Sequence, residues 1–305
     1  MSQDKSYPDW FAVDWGTSNL RVWAMTASGT VLDQAVSDQG MGKLTRDRFE
    51  PALLDLIGDW LGPNKTPVIA CGMVGARQGW VEAPYQTTPC KPFVNQLTAV
   101  NFLQDPRLQV YVIPGVCQKD PADVMRGEET QIAGFLSLNK NWDGVICLPG
   151  THTKWVQISA DEIISFKTFL TGELFDLLTH HSVLRHSIDT DGWDDDAFQT
   201  AVSEAISRPE AIAARLFSIR ADDLLHDRAP SQACAYLSGL LIGAELAASR
   251  PYWLGQQIAI IGGSTIAKHY ADALQAQGAF ATVTDAPRMT LAGLSAAYAK
   301  TKETA

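Results

Sequence analysis

The stretch FAVDWGTSNLRVW, Phe11–Trp23, places Asp14, Gly16, Thr17 and Ser18 between two apolar runs near the start of the chain. One reading is a β-hairpin with a polar turn. The other is a loop shaped to hold the phosphates of a nucleotide. Glycine lets the backbone approach a phosphate closely, and successive turn N–H groups form an anion-binding concavity. Thr17 and Ser18 add hydroxyl donors, and a carboxylate such as Asp14 can hold Mg²⁺, usually through water. A single Gly-polar turn fits either reading, so the rest of the chain must choose.

Outward from that stretch, FAVDW, LRVWAM and TVLDQAV are short strands joined by tight turns, which predicts an antiparallel meander. RFEPALLDLIGDWLG has apolar residues at helical spacing, with Gly62 and Pro63 as a stop. PVIACGMV and QVYVIPGV are apolar runs of buried-strand length. The second half repeats the order. GVICLPG turns into KWVQIS, EIISFKTFL follows, and GELFDLLTHHSVLRH is a predicted helix. An Ala-rich helical insert is expected at about 194–250, then QQIAIIGG as a strand, STIAKHYADALQAQG as a helix, FATVTD as a strand and MTLAGLSAAYAKTK as a last helix. One duplication over half the chain predicts two similar domains, 1–120 and 121–287, with helix 288–305 completing the first. The cleft between two such domains is the natural place for a ligand.

Composition narrows the function. The chain has 305 residues, 46% of them hydrophobic, enough for a substantial core. Its 24 basic and 34 acidic residues give a formal net charge of -10, and no basic stripe argues for nucleic acid. An anionic substrate would therefore need its own Arg, Lys or metal ion. Five cysteines without a C-x-x-C pair predict free thiols in a reducing, cytoplasmic setting. MSQDKSYPDW has neither a basic nor an apolar leader region, so no signal peptide is expected. AYLSGLLIGAELAA is too short to span a bilayer and carries Glu245; its Gly239 and Gly243 predict close helix packing in a soluble chain.

Several common motifs are absent: H-E-x-x-H, G-x-S-x-G, and G-x-G-x-x-G after a strand. GMGKLT, residues 40–45, fails as a P-loop because Leu44 stands where Ser or Thr is required. His180 and His181 adjoin on a helix and face apart, and the acidic stretch SIDTDGWDDDAF lacks calcium-loop spacing. What remains is three Gly-polar turns, each just after an apolar strand: the opening one, Pro149-Gly150-Thr151-His152-Thr153-Lys154, and Gly262-Gly263-Ser264, which opens a helix. A helix N-terminus is itself an anion-favouring site.

Three such turns at matching places in a duplicated α/β chain resemble the actin, sugar kinase and heat-shock-protein ATPase superfamily. VDWGTSNLRVW, GMVGARQGWVEAPY, DVMRGEETQIAG, LPGTHTKWV, TFLTGELFDLL and IIGGS narrow this to a resemblance to the 2-dehydro-3-deoxygalactonokinase family across nearly the whole chain. The resemblance implies two RNase-H-like (actin-like ATPase) domains, each with a mixed β-sheet flanked by helices, and an active-site cleft between them. It implies ATP as co-substrate and Mg²⁺. Asp14, Gly16, Thr17 and Ser18 match the first phosphate motif and its metal-holding acid. Gly150, Thr151 and Thr153 match the second, and Gly262, Gly263 and the following Ser264 match the adenosine turn. The superfamily's second hairpin usually begins with Asp, whereas Leu148 and Pro149 stand here. A second metal-holding carboxylate is therefore in question, and Lys154 is either a phosphate-stabilising cation or an ordinary strand lysine.

The implied activity is phosphorylation of the terminal 6-hydroxyl of 2-dehydro-3-deoxy-D-galactonate by ATP, yielding the 6-phospho product. For such an acid, Arg77 can pair with the carboxylate in bidentate fashion. Gln78 and Glu82 can bond hydroxyls, while Trp80 and Tyr85 offer flat walls. PADVMRGEETQIAG, at the domain junction, offers the general base: Asp123 first, then Glu128, with Arg126 and Glu129 beside them, although acids also simply favour helix N-termini. Expected partners are the sugar acid and ATP, with no nucleic acid and no membrane; a homodimer stays open. The alternatives are a phosphoanhydride hydrolase resembling exopolyphosphatase, a kinase of another sugar acid, and a nucleotide-gated sugar sensor.

Overall fold

Strand β1 (Trp10–Trp15) is buried almost end to end and organises the first unit of the chain. The computed structural model describes residues 7–92 and 96–303. β1 pairs antiparallel with β2 (Leu20–Met25), which pairs antiparallel with β3 (Val31–Ser37), giving the expected meander. On its other side β1 runs parallel to β4 (Thr66–Gly72), reached through helix α1 (Phe49–Ile57). Short β5 (Gln86–Thr87) and β6 (Thr98–Ala99) precede β7 (Leu108–Val112), which lies parallel to β4, so the six-stranded sheet runs β3-β2-β1-β4-β7-β6. β8 (Val116–Lys119) and β9 (Ala122–Met125) form a hairpin that joins β5 in a separate three-stranded sheet. Helix α2 (Glu128–Leu138) follows.

The second unit repeats this plan. β10 (Gly144–Leu148), β11 (Thr153–Ser159) and β12 (Glu162–Phe169) are a meander, and β10 runs parallel to β13 (Ile258–Gly262), which runs parallel to β14 (Ala281–Asp285). The order β12-β11-β10-β13-β14 matches β3-β2-β1-β4-β7 strand for strand. Helix α3 (Thr171–His181) leaves β12, and the insert is helical as expected: α4 (Asp195–Ser207), α5 (Ile212–His226), α6 (Pro230–Ala248) and one short turn, α7 (Arg250–Trp253). α8 (Ser264–Gln275) links β13 to β14. Gly239 and Gly243 of α6 face α4, where a Cβ would fall 2.4 Å from the Phe198 carbonyl oxygen and 2.7 Å from that of Val202. The G-x-x-x-G spacing therefore serves close helix packing. No helix among the described residues is long and apolar enough to cross a membrane.

The division of the chain differs from the expected 1–120 and 121–287. The first unit extends to Trp142 and includes Ala160–Ile164 and the chain from Ala286 onward. The reason is packing. β9 is the hairpin partner of β8, and α2 lies against the C-terminal helix Ala286–Glu303. That helix covers the sheet through Leu294, Ala297 and Tyr298, with Tyr298 stacked on Trp10 at 4.3 Å. The two helices cross at Gly134 and Gly293, where a Cβ would come 1.9 Å from the Met289 carbonyl oxygen and 2.0 Å from that of Thr130. Gly293→Ala is therefore expected to cost about 1–3 kcal/mol through overpacking. Gly58→Ala, with φ -53° and open space around it, should be neutral or stabilising by up to about 1 kcal/mol. Thermal denaturation of the two variants checks this, and equal losses would contradict the packing account.

Candidate active site

In the first unit, β1 ends at Trp15 and the chain turns through Gly16, Thr17, Ser18 and Asn19, with the Gly16 N–H donating to the Asn19 carbonyl at 2.9 Å. After β3 the chain returns to clamp this turn. The Met41 N–H donates to Gly16 O at 3.0 Å, Gly42 N–H to Thr17 O at 2.9 Å, and the Trp15 indole N–H to Gln39 O at 2.9 Å. Gly40 makes the clamp possible, because a Cβ there would lie 2.3 Å from the Thr17 carbonyl oxygen. The carbonyls of Gly16, Thr17 and Asn19 are thus occupied, while Thr17 and Ser18 stay exposed. A turn whose carbonyls face inward presents N–H and hydroxyl groups outward, which suits an anion.

Below the turn, Asp14 pairs across the strands with Arg21 on one side and Cys71 on the other. Its Oδ2 lies 2.8 Å from Arg21 Nη2, and Cys71 Sγ donates to Oδ1 at 3.9 Å. Burial raises the Asp14 pKa, Arg21 opposes that rise, and the charge of Glu128 adds to it. Glu128 opens α2, and its Oε2 accepts the Arg126 N–H at 3.0 Å. Gly127 brings this helix start to the end of β4, where a Cβ on it would lie 3.4 Å from Gly72 Cα. Glu129 is fully buried and accepts from the Gly127 N–H at 2.7 Å and from the Thr130 hydroxyl at 3.0 Å. Burial first, and the neighbouring Glu128 second, push its pKa to about 8. Asp14, Cys71, Glu128 and Glu129 therefore form one electrostatically coupled corner. Asp123 lies apart from the helix start, on β9, where its carboxylate accepts the adjacent Val124 N–H at 2.8 Å.

The substrate block divides. Trp80, expected as a wall of the site, is 1% exposed and belongs to the core, stacked on Phe49 and edge-on to Trp15. Its role is to support the strand that carries Asp14. Arg77, Gln78 and Glu82 are exposed, and the Arg46 guanidinium bonds the Arg77 and Gly79 carbonyls. Tyr85 is also exposed, with the Arg126 guanidinium over its ring at 4.3 Å.

In the second unit the same clamp recurs at the equivalent place. Gly150, Thr151 and His152 are exposed on the β10–β11 turn. The start of α3 holds it: Glu173 N–H donates to Thr151 O at 2.9 Å, His152 Nε2 lies 2.5 Å from Glu173 Oε2, and a Cβ on Gly172 would sit 2.3 Å from Gly150 O. Thr153 and Lys154 depart from expectation, being only 1% and 5% exposed. Thr153 bonds Tyr270 OH at 3.0 Å, underneath the turn. Pro149, just before the Gly150 turn, packs against the third turn, with its Cγ 3.0 Å from where a Gly262 Cβ would be. Gly263 caps α8, and Gly263, Ser264 and Thr265 are exposed at its N-terminus. Beside these turns lies a cavity of about 240 Å³, lined by Gly150, Phe175, Trp193, Ile242, Ile266 and His269 among others. Trp193 and His269 meet edge to face with centroids 3.9 Å apart.

Glu245, on α6, ties this second site together and was not expected there. Its carboxylate accepts from Trp155 Nε1 at 2.7 Å, from Tyr270 OH at 2.8 Å and from the Thr171 hydroxyl. It thus joins β11, α8 and the start of α3 beneath the cavity. Burial raises its pKa to about 7 against the opposing hydrogen bonds. The only sequence signal was an acid inside an apolar helix; Gly40 and Gly172 were legible only as glycines in the blocks after β3 and β12.

A raised carboxyl pKa means the folded state holds the proton more tightly. The stabilisation is complete below the unfolded value near 4.5 and is lost as pH rises through about 7. Glu245→Gln can keep all three contacts by reversing the two hydroxyls, so it should narrow the fall in Tm between pH 5 and pH 8. Glu245→Leu removes the acceptor of the Trp155 and Thr171 donors, while Tyr270 OH keeps Thr153 as a partner, and should cost about 1–3 kcal/mol for each donor left unpaired. Equal pH dependence in wild type and Glu245→Gln would contradict this account.

Against known proteins, the family model described as 2-keto-3-deoxy-galactonokinase matches residues 14–297. "Probable 2-dehydro-3-deoxygalactonokinase DgoK1" of Rhizobium meliloti (strain 1021) is 39% identical over 294 residues, covering 94% of this chain and 95% of that protein. The 2-dehydro-3-deoxygalactonokinase of Escherichia coli (strain K12) is 36% identical over 274 residues, covering 88% and 90%. A crystal structure from Sinorhizobium meliloti with a provisional designation as the same kinase superposes with a TM-score of 0.87 at 38% identity, covering 95% of each chain.

Proposed function

The chain belongs to the 2-keto-3-deoxy-galactonokinase family, and from that membership we propose that it transfers the γ-phosphoryl group of ATP to the terminal 6-hydroxyl of 2-dehydro-3-deoxy-D-galactonate. The observation that carries this reading is the acid corner under the first turn, where Asp14 lies in the field of Glu128 below exposed Thr17 and Ser18. Phosphoryl transfer asks mainly for positioning and charge stabilisation. In the first unit the turn N–H and hydroxyl groups hold phosphate oxygens. In the second, the Gly150–Thr151 turn and the α8 N-terminus do the same, and the aromatic-lined cavity holds the adenine and ribose.

Mg²⁺ fits the corner by donor chemistry. Two oxygen-donor carboxylates disfavour each other's charge there, and a divalent cation relieves that conflict. Among the described residues no three His, Cys, Asp or Glu side chains form a metal cage of their own. That suits a cation that takes one or two carboxylates and completes its shell with phosphate and water. Asp14 is the residue proposed to hold it, and when bound the ion neutralises charge on the phosphates. Glu128 is proposed to accept the proton of the sugar hydroxyl. Glu129, buried and protonated near neutral pH, serves as the cap that fixes the helix start. The free thiols of all five cysteines fit a reducing, cytoplasmic setting.

A coupled ADP-release assay should show a clear preference for the keto-deoxy acid over gluconate and glycerol; no preference would overturn the reading. Asp14→Ala should abolish turnover while keeping its Tm. Glu128→Gln should lower kcat by about 10²–10⁴ with little change in KM. A greater loss in Asp123→Asn would move the base to Asp123.

A further inference from the structure

We infer that Arg126 binds the carboxylate of the sugar acid and sets the enzyme's preference for acids over neutral acceptors. The assignment deepens the kinase reading and rests on it. Arg126 lies between β9 and α2, two residues before Glu128. Its guanidinium is held on two sides: Nη2 donates to the Ala83 carbonyl at 2.8 Å, and the plane covers the Tyr85 ring at 4.3 Å. Gly75 leaves the space for it, since a Cβ there would fall 2.8 Å from Nη1. Gly115 in turn makes room for Tyr85, since a Cβ there would fall 2.7 Å from the ring.

This slot is built for a cation and supplies it no counter-charge. Among the described residues, Nε and Nη1 are buried without a hydrogen-bond partner, from a carboxylate or any other group. The buried Nε2 of Gln86, next to Tyr85, is likewise unpartnered. Arg126 is half-buried, and leaving two of its charged nitrogens out of water without a partner is costly unless a ligand completes them. A planar, always charged fork matches a carboxylate. The proposed substrate carries one carboxylate, and Arg126 sits in the same segment as the proposed base. Arg77, the arginine first expected in this role, is exposed on its turn and has no comparable slot.

The test compares kcat/KM for 2-dehydro-3-deoxy-D-galactonate and for its neutral amide, using the full-length wild type, Arg126→Gln and Arg126→Lys, each checked for folding by Tm. Arg126→Gln should lose about 30-fold or more on the acid and stay within about threefold of wild type on the amide, as expected for removing one partner of a buried charge pair. Arg126→Lys, which keeps charge but loses the fork, should lose an intermediate amount on the acid only, and it decides the matter if the glutamine variant does not fold. Parallel losses on acid and amide, or no loss on either, would overturn the assignment. A wild type that phosphorylates acid and amide equally would overturn it while leaving the kinase reading intact. A wild type that does not phosphorylate the acid would overturn the kinase reading itself.

Discussion

Two close approaches of backbone to backbone govern the chemistry available to this chain. At Gly40 and at Gly172, the segment leaving the third strand of each unit presses on the first hairpin turn so tightly that no side chain fits. The approach consumes the turn carbonyls of Gly16 and Thr17 in one unit and of Thr151 in the other. The Thr17, Ser18 and Thr151 side chains are left exposed. Without that constraint either hairpin would be an ordinary polar turn, and its carbonyls would repel a phosphate as much as its N–H groups attract one. The same device recurs at equivalent places in both sheets.

Electrostatics beneath the turns differ between the copies. The first keeps an acid, Asp14, balanced between Arg21 and Glu128. The second has Leu148 two residues before its turn glycine, where the first has Asp14, and its buried carboxylate is Glu245 on α6. Glu245 meets three donors and organises side chains below the cavity, so its charge is spent on structure.

Much of this was legible in the sequence, for identifiable reasons. Alternating apolar runs and Gly-polar turns are local signals, and they located both meanders, the Gly262–Gly263 turn and the helical insert. The Gly239 and Gly243 spacing correctly implied close packing, because a helix face is a local property. What failed depended on partners distant in sequence. Trp80 stands in a polar stretch and looks like a binding wall, yet Trp15 and Phe49 enclose it. Thr153 and Lys154 follow an exposed turn, but β11 carries them into the interior. Asp123 reads as the residue before a helix, whereas the β8–β9 hairpin places it on a strand. The domain division shifted to Trp142 because α2 finds its packing partner in the C-terminal helix.

The central claim is that the acid corner and the clamped turns deliver phosphate to a carbon-bound hydroxyl and not to water. Phosphorus–proton correlated NMR of the product formed from ATP and 2-dehydro-3-deoxy-D-galactonate tests it directly. The account predicts a phosphate monoester coupled to the two protons of the terminal methylene. Orthophosphate as the main product, or coupling to any other carbon's proton, would contradict it.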